Sequence, residues 1–239
     1  MMYSRQLPIR FGVATVAVVC LLAAVPGYAA DLDEILFGFD EVQSSIRSLR
    51  AEFHETTTNL LLKDPIIAEG RFFLSKPDAI LWEYRSPEEM RFVIADDQYT
   101  GYFPTQQRAE KRNVRRWSEQ IFRFFGLGQG SAELSKFYDI SLGDDGSAQD
   151  GTYLLLLEPK KRRVRKRVET VRFWLDAKTF LPQQVEYLSK DGSKREIRFH
   201  DVQVNPDLAA GIFTVQIPSD VTVTQGFGGV PSFSPGSAR

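Results

Sequence analysis

Residues 66–103, IIAEGRFFLSKPDAILWEYRSPEEMRFVIADDQYTGYF, decide the fold. Four short runs rich in aromatic and β-branched residues are separated by KPD, RSP and DDQ, which are turn-forming combinations. Apolar side chains alternate along the runs, as in Ile80, Trp82 and Tyr84, which gives each strand an apolar face. The stretch therefore predicts an antiparallel meander.

The same pattern continues on both sides of this stretch. LDAKTFLP and SKDGSK are good hairpin turns between further runs of period two. A sheet of about ten strands is expected to curl, and a strongly curled sheet is a half-barrel. The additional strands are predicted over residues 53–62, 152–159, 168–176, 183–189, 194–204 and 211–218.

A helix is predicted before the sheet, over residues 31–53, because the apolar residues recur there at helical spacing. Asp31 and Glu34 form a possible capping box at its start. Two shorter helical candidates, residues 115–130 and 131–139, interrupt the sheet. The long amphipathic helix is suited to cover the open side of a half-barrel.

Aromatic residues are numerous, with 18 Phe, 8 Tyr and 3 Trp. Several predicted strands are apolar on both faces, since Phe73, Leu81 and Val93 stand between inward-pointing neighbours. Such strands need a second apolar layer or a ligand on one side. A filled core explains many of these rings, and a greasy ligand cavity is the alternative.

The N-terminus has the pattern of a secretory signal peptide. Arg5 and Arg10 flank the start of an apolar run too short for a membrane-spanning helix, and small residues follow. We predict a signal peptide over residues 1–29. The one cysteine, Cys20, lies inside it, so the exported chain has no thiol for disulfides or catalysis.

Catalytic, metal-binding and cofactor-binding patterns are lacking. The two histidines, His54 and His200, stand within strand patterns, and the acid pairs at 96–97 and 144–145 stand in turns. A formal net charge of −1, from 30 basic and 31 acidic residues, argues against a protein built to bind nucleic acid. We therefore expect neither an enzyme nor a bound metal or cofactor.

The order of turns and aromatics between Gly70 and Pro104 resembles the LolA family of periplasmic carriers of outer-membrane lipoproteins. LLLLEPK and FTVQIPSDVTV resemble its leucine-rich and final strands. The resemblance implies a mainly β fold with helices, an unclosed antiparallel β-barrel covered by a helical lid, over residues 30–224. Residues 225–239, rich in Gly, Pro and Ser, are predicted to be a flexible tail.

The resemblance also implies function and partners. Acyl chains of lipoproteins would be received from an inner-membrane LolCDE-type transporter, held in the apolar interior, and passed to an outer-membrane acceptor such as LolB, with a monomeric carrier. A lipid-sensing or regulatory module acting through a partner protein is the alternative on the same scaffold. The predicted lipid-binding residues are Phe72, Leu74, Ile80, Trp82, Tyr84, Phe92, Ile94 and Tyr99.

Two departures from the family pattern concern turns and the lid. Lys76 stands where the family commonly has an arginine that bonds lid carbonyls, and a lysine latch would be looser. The acidic turn is ADDQ in place of Asp-Gly, which predicts a different turn type and a shift of strand register.

One segment, residues 159–168 (PKKRRVRKRV), has seven basic side chains in ten positions. Its place between two predicted strands indicates a hairpin connection. An exposed hairpin kept soluble by charge is one interpretation, and docking to anionic lipid or an acidic partner through Arg162, Arg163, Arg165 and Arg167 is the other.

Overall fold

A computed structural model describes residues 31–115, 130–143 and 151–225. The predicted signal peptide, most of the helical candidate at 115–130, the acid pair at 144–145 and the predicted tail beyond residue 225 lie outside the described residues. Helix α1 spans Leu32–Ser45, and single helical turns α2 and α3 span Ser131–Leu134 and Arg162–Arg165. Among the described residues, no helix has the length and apolar character needed to cross a membrane.

Twelve strands form a single sheet. Their bounds in chain order are β1 Ser48–Thr58, β2 Ile66–Ser75, β3 Ala79–Ser86, β4 Met90–Ala95, β5 Gln98–Phe103, β6 Arg108–Asn113, β7 Tyr138–Leu142, β8 Thr152–Pro159, β9 Val168–Asp176, β10 Pro182–Ser189, β11 Lys194–Val204 and β12 Thr222–Gln225.

The sheet order is β12-β6-β5-β4-β3-β2-β1-β11-β10-β9-β8-β7, so the two outermost strands do not meet. All neighbours are antiparallel except β12, which lies parallel to β6. Strands β1 and β11 pair over a long stretch in the middle and join the two halves. The predicted unclosed half-barrel with few helices is confirmed.

The predicted helix, residues 31–53, is longer than the helix in the structure. Helix α1 ends at Ser45, and the chain enters β1 at Ser48. The side chains of residues 49, 51 and 53 all point inward, as they do along a strand. Leu49 and Phe53 therefore fit the strand period of two as well as the helical period. Pairing of β1 with β2 and β11 on both sides decides in favour of the strand. Asp31 is the N-cap residue as expected, but its side chain makes no capping hydrogen bond.

The C-terminal segment supplies the second apolar layer that the sequence requires. Residues 211–218 are not a strand, contrary to the prediction. Ile212, Phe213 and Val215 pack instead over Phe73, Leu81 and Val93 on the outer face of β2–β4. The chain then reaches β12 at the edge of the sheet. Three strands can therefore be apolar on both faces without a ligand on the outside.

The rest of the outer, convex face is held by ion pairs between neighbouring strands. Glu83 accepts a hydrogen bond from Arg71 Nε at 2.7 Å and pairs with Arg91 at 3.0 Å. Glu186 pairs in the same way with Arg172 at 2.9 Å and Lys194 at 3.3 Å. Such cross-strand pairs stabilise a sheet face that water reaches.

Turns and connections follow the sequence in most places. Asp96 and Asp97 both have positive φ, as a two-residue type I′ hairpin turn requires. Asp-Gly forms the same type of turn, so the predicted change of turn type is wrong, and Ala95 pairs with Gln98 across it. Residues 138–142 form β7, so only the first part of the helical candidate at 131–139 is helical. Strand β6 follows a 3-10 turn at Pro104–Gln106 and had no counterpart in the prediction.

Candidate functional site

The inner, concave face of the sheet carries the eight residues predicted to bind lipid. Every one of them belongs to a single buried cluster, with side chains at most 7% exposed. The face that points inward is therefore the face chosen from the sequence. Their role in lipid binding stays a prediction.

Strand register arranges these side chains in rows across the sheet. In one row Phe72 lies opposite Trp82 and Trp82 opposite Phe92. In the next row Leu74, Ile80, Ile94 and Tyr99 follow one another on adjacent strands. Facing positions of neighbouring strands are about 5 Å apart, so the apolar surface is continuous over four strands.

Aromatic rings fill the middle of this surface. The Trp82 ring lies 4.8 Å from Phe72 and 5.0 Å from Phe53, measured between centroids. Gly70 makes room for Phe53, because a Cβ there would lie 2.7 Å from its ring and 2.0 Å from the Glu83 carbonyl oxygen. The rings pack on one another in tilted and edge-to-face geometries. In this closed state they form a filled core, and the expected greasy space is occupied by side chains.

Helix α1 covers the concave face. Its Ile35 and Phe39 are buried, and the Phe39 ring lies 6.0 Å from that of Phe173. The Phe180 ring packs directly over Gly38, where a Cβ would come within 2.6 Å of it. The helix is therefore a lid whose inner side belongs to the core.

Hydrogen bonds fix the C-terminal end of this lid. Lys76 Nζ donates to the Gln43 carbonyl oxygen at 2.6 Å, and burial lowers the Lys76 pKa. Asn205 Nδ2 donates to the Ser45 carbonyl oxygen at 3.0 Å, and Asn205 Oδ1 accepts from the Arg47 N–H at 2.6 Å. A cation near the last carbonyls of a helix is favourable. Lys76 thus has the contact that a latch requires.

A charged cluster interrupts the apolar interior toward the opposite end of the strands. Arg195 donates from Nε and Nη2 to the two carboxylate oxygens of Glu55, at 2.7 and 2.6 Å. The Tyr84 hydroxyl donates to Glu55 Oε2 at 2.7 Å and accepts from Arg195 at 2.9 Å. Both charged side chains are 8% exposed. A bidentate pair with a third hydrogen-bond partner is the arrangement in which buried charges are tolerated.

Burial and neighbouring charges set the ionisation of this cluster. Burial opposes the charge of Arg195, but Tyr84 and Glu55 hold its pKa above the ordinary value. Burial raises the pKa of Tyr84 and of Tyr187, and the nearby Glu55 carboxylate acts in the same direction. The tyrosines therefore stay neutral and Arg195 stays charged over the physiological range.

The two histidines and the possible metal ligands among the described residues were singled out in the sequence and have clear places in the structure. His54 and His200 lie on β1 and β11, half-exposed or exposed, next to Glu69 and Asp201. Among residues 31–115, 130–143 and 151–225, no group of three His, Cys, Asp or Glu side chains is placed to hold a metal ion.

The four arginines predicted to dock a partner or membrane are exposed and lie in or next to α3. They occupy the connection from β8 to β9, as the sequence indicated. They are not part of the concave face, so the structure separates the predicted docking residues from the predicted lipid-binding residues.

Sequence reasoning missed Glu55, Arg195 and Asn205. Arg195 stands two residues before Ile197, whose side chain points inward, and Glu55 stands two residues after Phe53. Because side chains two apart in a strand share a face, this spacing indicates that both charged side chains point inward. Nothing local to Asn205 signals that it bonds the end of α1, 160 residues away in sequence.

A model of the family described as "Outer membrane lipoprotein carrier protein LolA" matches residues 44–216 of this chain, more than half of its length. Among curated proteins, no sequence matches the chain.

Solved structures resemble the chain at low sequence identity, and one of them has a TM-score above 0.5. An uncharacterized conserved protein from Thermus thermophilus superposes with a TM-score of 0.53 at 12% identity, over 81% of this chain and 98% of that one. A LolA superfamily protein from Nitrosomonas europaea has a TM-score of 0.41 at 15% identity, over 78% and 99%. MucB in the MucA/MucB complex of Pseudomonas aeruginosa has a TM-score of 0.49 at 15% identity, over 82% and 64%.

Proposed function

The chain belongs to the LolA family of periplasmic carrier proteins, and on that premise we propose that it shields the acyl chains of lipoproteins and carries them from the inner to the outer membrane. The observation that supports this proposal is a continuous apolar concave face covered by helix α1, which belongs to no strand of the sheet. Export to the periplasm through the predicted signal peptide is part of the same proposal.

Acyl chains would bind by replacing α1 over the concave face. Each buried methylene is worth about 0.8 kcal/mol, so two or three chains can replace the contacts that Ile35 and Phe39 make when the lid is closed. The aromatic rows around Trp82 belong to the same buried cluster as these helix residues, so acyl chains that enter under the helix would extend onto them. Because apolar contacts are exchanged for apolar contacts, the closed and loaded states can be close in free energy.

Release of the lid requires hydrogen bonds to break. Ser131 donates two of them to Asp40 in the helix. At the C-terminal end they are the bonds from Lys76 to Gln43 and between Asn205 and residues 45–48. A lysine holds a carbonyl oxygen as a single point charge, which favours a lid that opens. Transfer makes and breaks no covalent bond, so no catalytic group or cofactor is required.

The proposed partners are a LolCDE-type transporter as donor and a LolB-like acceptor, with acylated lipoproteins as cargo and a monomeric carrier. The cargo-binding set is the eight concave residues, with Lys76 as latch.

The test uses the exported full chain co-expressed with a triacylated lipoprotein. Trp82→Glu places a charge in the middle of the aromatic rows and should abolish cargo retention, whereas Trp82→Phe should keep it. Cargo is measured by co-purification and mass spectrometry. Unchanged retention by a folded Trp82→Glu protein contradicts the proposal.

Two neighbouring residues of β5 provide a matched control. Tyr99 points into the core and Thr100 points outward, so Tyr99→Asn should weaken cargo retention more than Thr100→Asn. Circular dichroism of each variant identifies any that fail to fold. Equal retention by the two folded variants would show that cargo does not use the concave face.

Material that co-purifies with the protein from its native periplasm separates a carrier from a regulatory module. Acylated lipoprotein or lipid supports the carrier. An empty protein in complex with a regulatory protein contradicts it and favours the alternative.

A further inference from the structure

The connection between β1 and β2, together with the first two residues of β2, exposes an unusual set of apolar side chains. Of the eight large apolar residues exposed in the described part of the chain, five lie here. We call them the apolar tip: Leu60 at 74% exposure, Leu61 at 91%, Leu62 at 48%, Ile66 at 48% and Ile67 at 54%. Contiguous solvent-exposed apolar residues are typical of an interaction surface.

The tip is an ordered turn. Asn59 Oδ1 accepts a hydrogen bond from the Leu61 N–H at 2.8 Å, and the Asn59 carbonyl accepts from the Leu62 N–H at 3.0 Å. These two bonds fix the backbone, so the leucines project from the end of the sheet. The exposure of Leu61 is a consequence of this turn.

Two contacts place the tip beside the basic connection from β8 to β9. A Cβ on Gly192, in the turn from β10 to β11, would lie 2.9 Å from Leu60. The Lys190 N–H, in that same turn, donates to the Arg167 carbonyl at 2.7 Å. The strands β2, β1, β11, β10, β9 and β8 are successive neighbours in the sheet, so their three connections line one end of it.

The basic connection, residues 160–167, carries seven cations. Lys160 pairs with Asp139 at 3.4 Å, and Lys161 lies over the Phe137 ring at 4.9 Å. The four arginines are exposed, and within the ranges the structure describes no carboxylate lies at ion-pair distance from them. Their charges are therefore available to an anionic partner.

We propose that this end of the sheet docks on a membrane that contains anionic lipid, with the apolar tip inserted and the basic connection on the headgroups. Apolar side chains that protrude next to exposed cations match the layering of such a bilayer, hydrocarbon below an anionic surface. A soluble anion would leave the leucines without a partner. The inference goes beyond cargo binding, since it holds equally for an empty protein.

The first experiment measures co-sedimentation of the cargo-free mature protein with vesicles of phosphatidylcholine, with and without phosphatidylglycerol. Wild type should bind the anionic vesicles more tightly, and salt should weaken binding. The triple variant Leu60→Ser, Leu61→Ser, Leu62→Ser and the quadruple variant Arg162→Gln, Arg163→Gln, Arg165→Gln, Arg167→Gln should each bind about tenfold or more weakly.

Matched controls use exposed residues elsewhere. Val204→Ser with Val223→Ser removes apolar side chains away from the tip, and Arg47→Gln with Lys178→Gln removes cations at the opposite end. All these positions are on the surface, so melting temperatures should stay near that of wild type. The control variants should bind vesicles as wild type does.

A second experiment reports insertion directly. Leu61→Trp should shift its fluorescence to shorter wavelength when anionic vesicles are added. Absence of that shift together with undiminished binding of the triple leucine variant overturns the proposal, because binding would then be purely electrostatic. Full displacement by soluble glycerol phosphate, or binding only to an acidic protein, overturns it as well. Loss of vesicle binding leaves cargo retention unaffected, so the two proposals fail separately.

Discussion

The two ends of the curved sheet differ in how their polar and apolar side chains are paired. At one end, which we call the latch end, Lys76 and Asn205 fix the last turn of α1. At the other, the tip end, Leu60 and Leu61 and the cations of residues 160–167 are exposed. The latch end thus pairs its polar groups within the chain, whereas the tip end leaves apolar side chains and arginines exposed to solvent.

The concave interior also differs between the two ends of the sheet. Toward the latch end the concave face is apolar, with Leu74 and Tyr99 fully buried. Toward the tip end it holds the Glu55–Arg195 pair. Charges at that end keep the apolar core from extending to the surface that we propose to dock on membranes.

The largest effect is expected from breaking the charged pair near the tip end. Arg195→Met leaves Glu55 buried without its cation, which should lower the free energy of unfolding by about 3–5 kcal/mol. Chemical denaturation measures this change. The double variant Arg195→Met with Glu55→Leu removes both charges and should recover most of the loss.

A loss below about 1 kcal/mol for the single variant would contradict this account. It would mean that water reaches Glu55, and the tip end would then be open to solvent in the closed state.

A smaller effect is expected at the latch end, from Asn205. This residue has φ of 55° and bonds both the helix end and the N–H groups of residues 47 and 48. Asn205→Ala loses the bonds and strains the backbone, so it should cost about 1–2 kcal/mol of unfolding free energy. Asn205→Gly loses the same bonds without the strain.

Denaturation curves of the two variants separate these contributions, with glycine expected above alanine in stability. Equal stability of the two would show that the left-handed backbone at residue 205 contributes nothing.

The smallest effect on stability, about 1 kcal/mol or less, is expected from the latch itself. Lys76→Met keeps the apolar stem and removes the hydrogen bond to Gln43, so the lid should open more often. Uptake of a fluorescent fatty acid, followed by stopped flow, should be about fivefold faster. Lys76→Arg, which restores a donor, should be slower than Lys76→Met. Identical uptake rates for wild type and Lys76→Met would exclude a latch.

Sequence patterns predicted most strands because strand signals are local. Turn residues and period-two alternation predicted β2 and β4 at their observed bounds. The alternation of Ile80, Trp82 and Tyr84 marked one face of β3, and the structure shows that this face points inward. The same reasoning failed where two periods coincide, as at Leu49 and Phe53. It failed again at residues 211–218, whose apolar side chains cover the outer face of the sheet.

The sequence by itself determined a curled antiparallel sheet with an apolar face, an N-terminal helix and an exposed basic hairpin, since each depends on neighbours within about ten residues. Only the tertiary structure decided where α1 stops, what covers Phe73 and Leu81, and which charges meet inside. Glu55 and Arg195 are 140 residues apart in sequence, and Arg47 and Asn205 are 158 apart. Contacts at such separations arise from strand register, which no local pattern specifies.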